Sequence, residues 1–184
     1  MKPNNMKAST LNLKPVFRWT RLASVFCTVV VTLATLGLRA GDQVPFKATW
    51  TGQLISRVPT ADGGFDQVVL NAGNGTHIGK ASEVLTYHVT FEVTAAAVVV
   101  HFAGSFTATA ANGDTFHGSF EGETIVPNGA PPPYEFAAEW EITGGTGRFA
   151  GATGSGTSTG LDYGNGQDSQ TDDGVISTVG SNKK

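Results

Sequence analysis

The sequence predicts an all-β domain whose antiparallel strands close into a barrel, with a two-sheet sandwich as the alternative. Three observations carry this expectation. Glycine supplies 23 of the 144 residues after position 40, and β-branched and aromatic residues fill most of the space between the glycines, as in strands joined by tight turns. Several stretches alternate apolar and polar residues with period two, the mark of antiparallel sheet with one apolar side. No stretch after residue 41 holds a helical period for three turns without Gly or Pro. Closure into a barrel removes the exposed strand edges that an open sheet would leave.

The first segment is different in kind. Residues 1–40 hold six of the twelve basic groups (Lys2, Lys7, Lys14, Arg18, Arg21 and Arg39) and no acid, and Leu22 to Leu38 is an uncharged run of seventeen residues. A basic head, an apolar run and Leu38-Arg39-Ala40 before Gly41 predict a signal helix with cleavage after Ala40. Leu38 is large for a position that usually takes a small residue, and an uncleaved anchor is the alternative, the one route by which this chain would touch a membrane. Cys27 lies inside the run behind Phe26, a neighbour too large for a lipoprotein cleavage site. The mature chain, 41–184, then has no cysteine, which excludes disulfides, thiol catalysis and thiolate metal sites. Its six bases stand against fifteen acids, a net of −9 with His neutral. That balance lacks the basic footprint nucleic acid requires. The expected location is secreted or periplasmic.

From residue 41 the strands follow in order. Phe46, Ala48, Trp50 and Leu54 oppose Lys47, Thr49, Thr51 and Gln53. Further strands are expected at 66–72 and 76–81. In Val84 to Val93, Leu85, Tyr87, Val89, Phe91 and Val93 share one face, with Thr86, His88, Thr90 and Glu92 on the other. A strand at 97–103 leads to Phe106 and Ala108, then to the hairpin turn Ala111-Asn112-Gly113-Asp114, and Phe116 and Phe120 follow. Gly118, between those two rings, leaves room for a bend or a large neighbour. Pro127 to Pro133 cannot pair inside a sheet and forms an exposed connection. Tyr134, Phe136, Ala138, Trp140 and Ile142 alternate with Glu135, Ala137, Glu139 and Glu141. Gly144, Gly145, Gly147 and Arg148 make the next turn, and Phe149 returns to the apolar face. A small-residue strand at 154–160 would let a bulky residue approach. The barrel domain is therefore placed at 41–160. Residues 161–184 form an acidic segment rich in Gly, Ser and Asn, mobile from Leu161 to Gly174, with a weaker last strand at 174–180.

Few motifs carry chemistry. The turn from Gly144 to Gly154 is glycine-rich like a phosphate loop but lacks Gly-Lys-Ser/Thr and a following helix. His77 sits by a turn, and His88, His101 and His117 fall on polar faces with no converging set, so no metal and no cofactor is expected. Gly164 to Asp168 has a calcium-loop flavour without EF-hand order. Arg148 is the candidate for a structural ion pair with Asp114, and Asn74-Gly75-Thr76 reads as a turn or a glycosylation sequon.

The phrases THIGKAS (76–82), ANGDTFHGSF (111–120) and ITGGTGRFAGATGSG (142–156) resemble those of bacterial secreted proteins with an allene oxide cyclase-like barrel. Plant allene oxide cyclases and dirigent proteins are similar more distantly, through the glycine-rich turn before a Phe. The resemblance spans roughly residues 46 to 160. It implies a single eight-stranded antiparallel barrel with an apolar cavity, oligomeric in many plant members, so a homo-oligomer joins the expected partners. Those plant proteins steer ring closure or radical coupling of hydrophobic molecules.

On the alternation, Trp50, Tyr87, Phe91, Phe106, Tyr134, Phe136 and Trp140 point inward and line a ligand cavity. The inward set holds no carboxylate, His or Lys, only the hydroxyls of Tyr87 and Tyr134 and the indoles of Trp50 and Trp140. A neutral tyrosine, titrating near 10, donates hydrogen bonds more readily than it removes protons. The expectation is an exported binder of a small hydrophobic molecule, with no catalytic residue assigned. The alternatives are a cyclase or isomerase acting on a lipid or polyketide-like substrate, and a filled barrel with a structural role. A carboxylate deep in the lumen would reverse the preference for passive holding.

Overall fold

The computed structural model describes residues 42–177; the predicted signal helix and its cleavage site lie outside the described residues. Eight antiparallel strands, each bonded to its neighbours in sequence, close into a barrel: β1 (Gln43–Pro59), β2 (Phe65–Gly75), β3 (Gly79–Val93), β4 (Ala97–Ala110), β5 (Thr115–Pro127), β6 (Tyr134–Gly145), β7 (Gly154–Asp162) and β8 (Gln167–Ser177). Ring closure comes from β1 and β8, which pair from Gln43↔Ser177 to Gln53↔Gln167. Every strand therefore has two partners and no edge is left open. Among the described residues no helix is long and apolar enough to cross a membrane.

Several strands are longer than their apolar alternation. The expected strands at 76–81 and 84–93 are one, because Gly79 at positive φ ends the turn and β3 starts there. The larger correction concerns the end of the chain. Residues 167–177 are β8, inside the barrel, rather than a mobile segment followed by a strand at 174–180. The barrel thus extends past the expected limit at 160. β8 escapes a hydrophobic reading because its inward residues include Asp168, Gln170 and Asp172, and their lumenal partners are polar too.

Two irregularities reset which residues face in. Register shifts between Leu54 and Ser56 leave Ile55 exposed and let Arg57 turn into the lumen. In the β5–β6 pair, Gly118 meets Ile142 while His117 meets Gly144, so Thr143 is the extra residue. The turns behave as their chemistry requires. Gly113 has φ 84° between β4 and β5, and Asn112 binds Asp114 through both its side-chain amide and its Oδ1. Gly144 and Gly145 end β6, and Gly147 at φ 56° opens a single 3₁₀ turn, Gly147–Phe149. Arg148 pairs with Asp114 there, its Nε 3.7 Å and its backbone N 3.2 Å from Oδ2.

The lumen has a packed floor and an open mouth. At the floor, Phe46 meets Phe116 and Trp140 edge-on with ring centroids 5.8 and 5.7 Å apart, and Phe116 meets Phe149 at 5.3 Å. Such contacts add to the roughly 2–3 kcal/mol that burying each large apolar side chain contributes. Ile142, Ile176 and Ala152 complete the plug. These rings fit because β7 and β8 present glycines to them: a Cβ on Gly156 would strike Trp140, as would one on Gly174 across the pair. Gly118 does the same for Phe106. Small residues on one wall accept large rings from the other, as the sequence of 154–160 suggested.

Candidate functional site

Above the floor the lumen opens into a cavity of about 620 Å³, within the range of small-molecule sites. The loops at 60–64, 94–96, 128–133 and 163–166 surround this end, since they join the strands whose ends form the mouth. One wall is apolar. Tyr87, Phe102, Phe120 and Phe136 form a connected cluster, with Tyr87–Phe120 centroids 5.7 Å apart and Phe102–Phe136 6.2 Å. Phe65 and Phe91 pack edge-on nearer the mouth, and the Arg57 guanidinium stands 5.4 Å above the Phe65 ring. The opposite wall is polar: Asp162, Asn165, Gln167, Asp168 and Gln170, from β8 and the approach to it.

The seven residues expected to line one cavity divide between two levels. Tyr87, Phe91, Tyr134 and Phe136 line the open cavity. Trp50, Phe106 and Trp140 are buried lower, around a void of only about 40 Å³ that Phe136 also borders. The Tyr87 hydroxyl donates to Gln67 Oε1 at 3.2 Å, and Tyr134 donates to the Ala130 carbonyl at 3.2 Å. Burial, with the charges of Asp168 and Asp162 behind it, pushes the Tyr87 phenol up to about 12. It remains a donor at neutral pH.

The expectation that the inward face carries no ionisable group is overturned. Glu83 and Asp172 are buried in the lumen, at 5% and 6% exposure, and Asp168 lines the cavity above them. Glu83 continues the odd-numbered face of Leu85 and Tyr87 two residues below the apolar stretch, and Asp168 and Asp172 lie on a strand that looks like a loop. Extending the period of two past the last apolar residue would have found Glu83. Nothing in the composition of β8 marks its carboxylates as inward.

These groups form a network. Asp172 accepts from Trp50 Nε1 at 2.7 Å, from Ser158 Oγ at 2.6 Å and from Gln170 Nε2 at 2.7 Å. Burial raises its pKa, and those three bonds oppose the rise. Asn71, fully buried, donates to Glu83 Oε2 at 2.8 Å. Glu83 is pushed up to about 8, chiefly by burial and then by the charge of Asp172, so it holds a proton at pH 7. Burial and the nearby charge of Asp162 lift Asp168 to about 6. A carboxyl close to neutrality beside an apolar cavity can give or take a proton.

The histidines lie elsewhere. His88 is on the outer wall, its ring nitrogens each 2.8 Å from Asp62 and Asp66. His101 stands 3.8 Å from both Glu92 and Glu123. His77, at φ 65°, reaches the Pro45 carbonyl at 3.1 Å. Among the described residues no group of His, Asp and Glu is arranged to hold a metal ion. No family model matches the sequence, and neither a curated protein nor a solved structure matches it.

Proposed function

We propose that this barrel takes up a small, mainly apolar molecule in the open half of its lumen after export from the cytoplasm. The observation that carries the reading is the cavity of about 620 Å³ with a continuous aromatic wall on one side and hydrogen-bonding groups on the other. A barrel serving only as a filled module would have its lumen packed throughout, as the floor is. The floor supplies the rigidity and the mouth supplies the space. We read the barrel as belonging with the allene oxide cyclase-like group, on the strength of its phrases and its eight-stranded closure.

A second reading, a cyclase or isomerase, is favoured by the lumenal carboxyls. Passive holding suits a lumen without ionisable groups, and Glu83, Asp168 and Asp172 put carboxyls in this one. Asp168 is the residue we would assign as acid or base, because it borders the cavity and titrates near neutrality. Tyr87 would orient a substrate oxygen as a hydrogen-bond donor.

Native mass spectrometry of the exported protein tests uptake. A co-purifying small molecule that is lost when Val89→Trp fills the cavity supports it; an empty barrel that also fails to bind hydrophobic probes argues against it. Incubation with epoxy fatty acids or phenolic radicals separates the two readings. Altered products abolished by Asp168→Asn would establish chemistry, and unchanged products with saturable binding would retire it.

A further inference from the structure

The two walls of the cavity have different chemistry, and together they select a class of ligand. This inference rests on the reading of the lumen as a binding site. At the base of the polar wall, Gly52 faces inward between Trp50 and Leu54, and a Cβ there would collide with both Asp168 carboxylate oxygens and with Asn71 Oδ1. The Asp168 carboxylate and Asn71 Oδ1 already occupy the space that a side chain at this position would need, and of the two residues Asp168 is the one that lines the cavity. Among the described residues no hydrogen-bond donor reaches the Asp168 carboxylate, and Asn71 Oδ1 is buried without a partner. A carboxylate that borders a largely apolar cavity and has no donor of its own favours an incoming hydrogen-bond donor. Asp162 adds a second carboxylate on the same wall. Facing it are the rings of Tyr87, Phe102, Phe120 and Phe136, whose π faces attract cations.

We propose that the ligand is a hydrophobic amine, its protonated nitrogen seated at Asp168 and its apolar body against the aromatic wall. An ammonium carries three donors and one positive charge, which match a carboxylate without a donor of its own. A hydroxyl brings a single donor, and a carboxylate brings none. Arg57 is the cation already lining the cavity, but it lies over Phe65, and no ion pair joins it to Asp168 or Asp162 among the described residues. The Asp168 carboxylate thus remains available. Burial keeps Asp168 partly protonated in the empty barrel, and a bound cation would hold it ionised.

The test uses three ligands of matched shape, 1-naphthylmethylamine, 1-naphthylmethanol and 1-naphthoate, titrated calorimetrically into the wild-type protein at pH 7.5. The expected order is amine first, tighter than the alcohol by about tenfold or more, as a charge-assisted bond supplies, with the acid weakest. In Asp168→Asn the amine should fall by about tenfold or more and the alcohol by much less, so that the two bind alike. Equal binding of amine and alcohol would overturn the inference and leave the lumenal site standing. Tighter binding of naphthoate would also overturn it, assigning Arg57 as the anchor. If none of the three binds, the reading of the lumen itself fails, and the amine with it.

Discussion

The indole of Trp50 donates to Asp172 Oδ2 at 2.7 Å, joining β1 to β8 on the inside of the seam that closes the barrel. Both residues are buried, and the bond is charge-assisted when Asp172 is ionised. The same carboxylate holds Ser158 of β7 and Gln170, so one side chain organises three strands.

Removing that carboxylate should be costly. Asp172→Ala strands the Trp50 N–H and the Ser158 hydroxyl in the lumen, a loss of about 2–5 kcal/mol. Asp172→Asn keeps one acceptor oxygen and escapes the burial of a charge, so it should lose less. Urea unfolding of the two variants checks the order; an alanine variant as stable as wild type would contradict it.

Glu83 makes stability depend on pH. Its folded pKa, about 8, lies above the ordinary 4.5. Between those values the unfolded chain releases the proton and the folded barrel keeps it, so stability is full below about 4.5 and declines as pH rises towards 8. Glu83→Gln should therefore melt near the wild-type temperature at pH 4.5 but several degrees above it at pH 8.5. Parallel melting curves at both values would show it.

His88, on the outer wall, shifts stability with pH in the same sense through a different charge. Hydrogen bonds to Asp66 and then Asp62 raise its pKa, so its stabilising charge is present below about 6.5 and is lost as pH climbs through the raised value. His88→Asn should lower the melting temperature slightly at pH 5.5 and leave it unchanged at pH 9. The effect is small because the site is open to solvent.

Glycine 156 tests the fit of the floor. A methyl there meets Trp140 and the facing Asp173 carbonyl. Gly156→Ala should therefore cost about 1–3 kcal/mol by overpacking, although alanine is usually harmless in a strand. Denaturant titration measures it, and Trp140 fluorescence should report the displaced ring.

Much of this architecture is legible in the residues. The rings of β1, β3 and β6 alternate strictly because each of those strands buries one face, and the turns at Asn112-Gly113 and Gly147 need backbone angles that few other residues tolerate. β8 was hidden because a polar network, not hydrophobic burial, holds its inner face. Asp168, Gln170 and Asp172 look like the composition of a loop until their partners on other strands are known. The site was half visible for the same reason. The aromatic wall announces itself by period, while the polar wall depends on pairings between distant parts of the chain that no local pattern encodes.

Because the ring is completed by its first and last strands, with Gln43 opposite Ser177, assembly must bring together the most distant parts of the barrel before the seam can bond. Such non-local closure slows folding and makes this junction the natural last step. Joining those two positions by a short peptide and opening the chain instead at the exposed 128–133 loop would turn the seam into a local hairpin. A circular permutant of that kind should reach the native state faster while enclosing the same space.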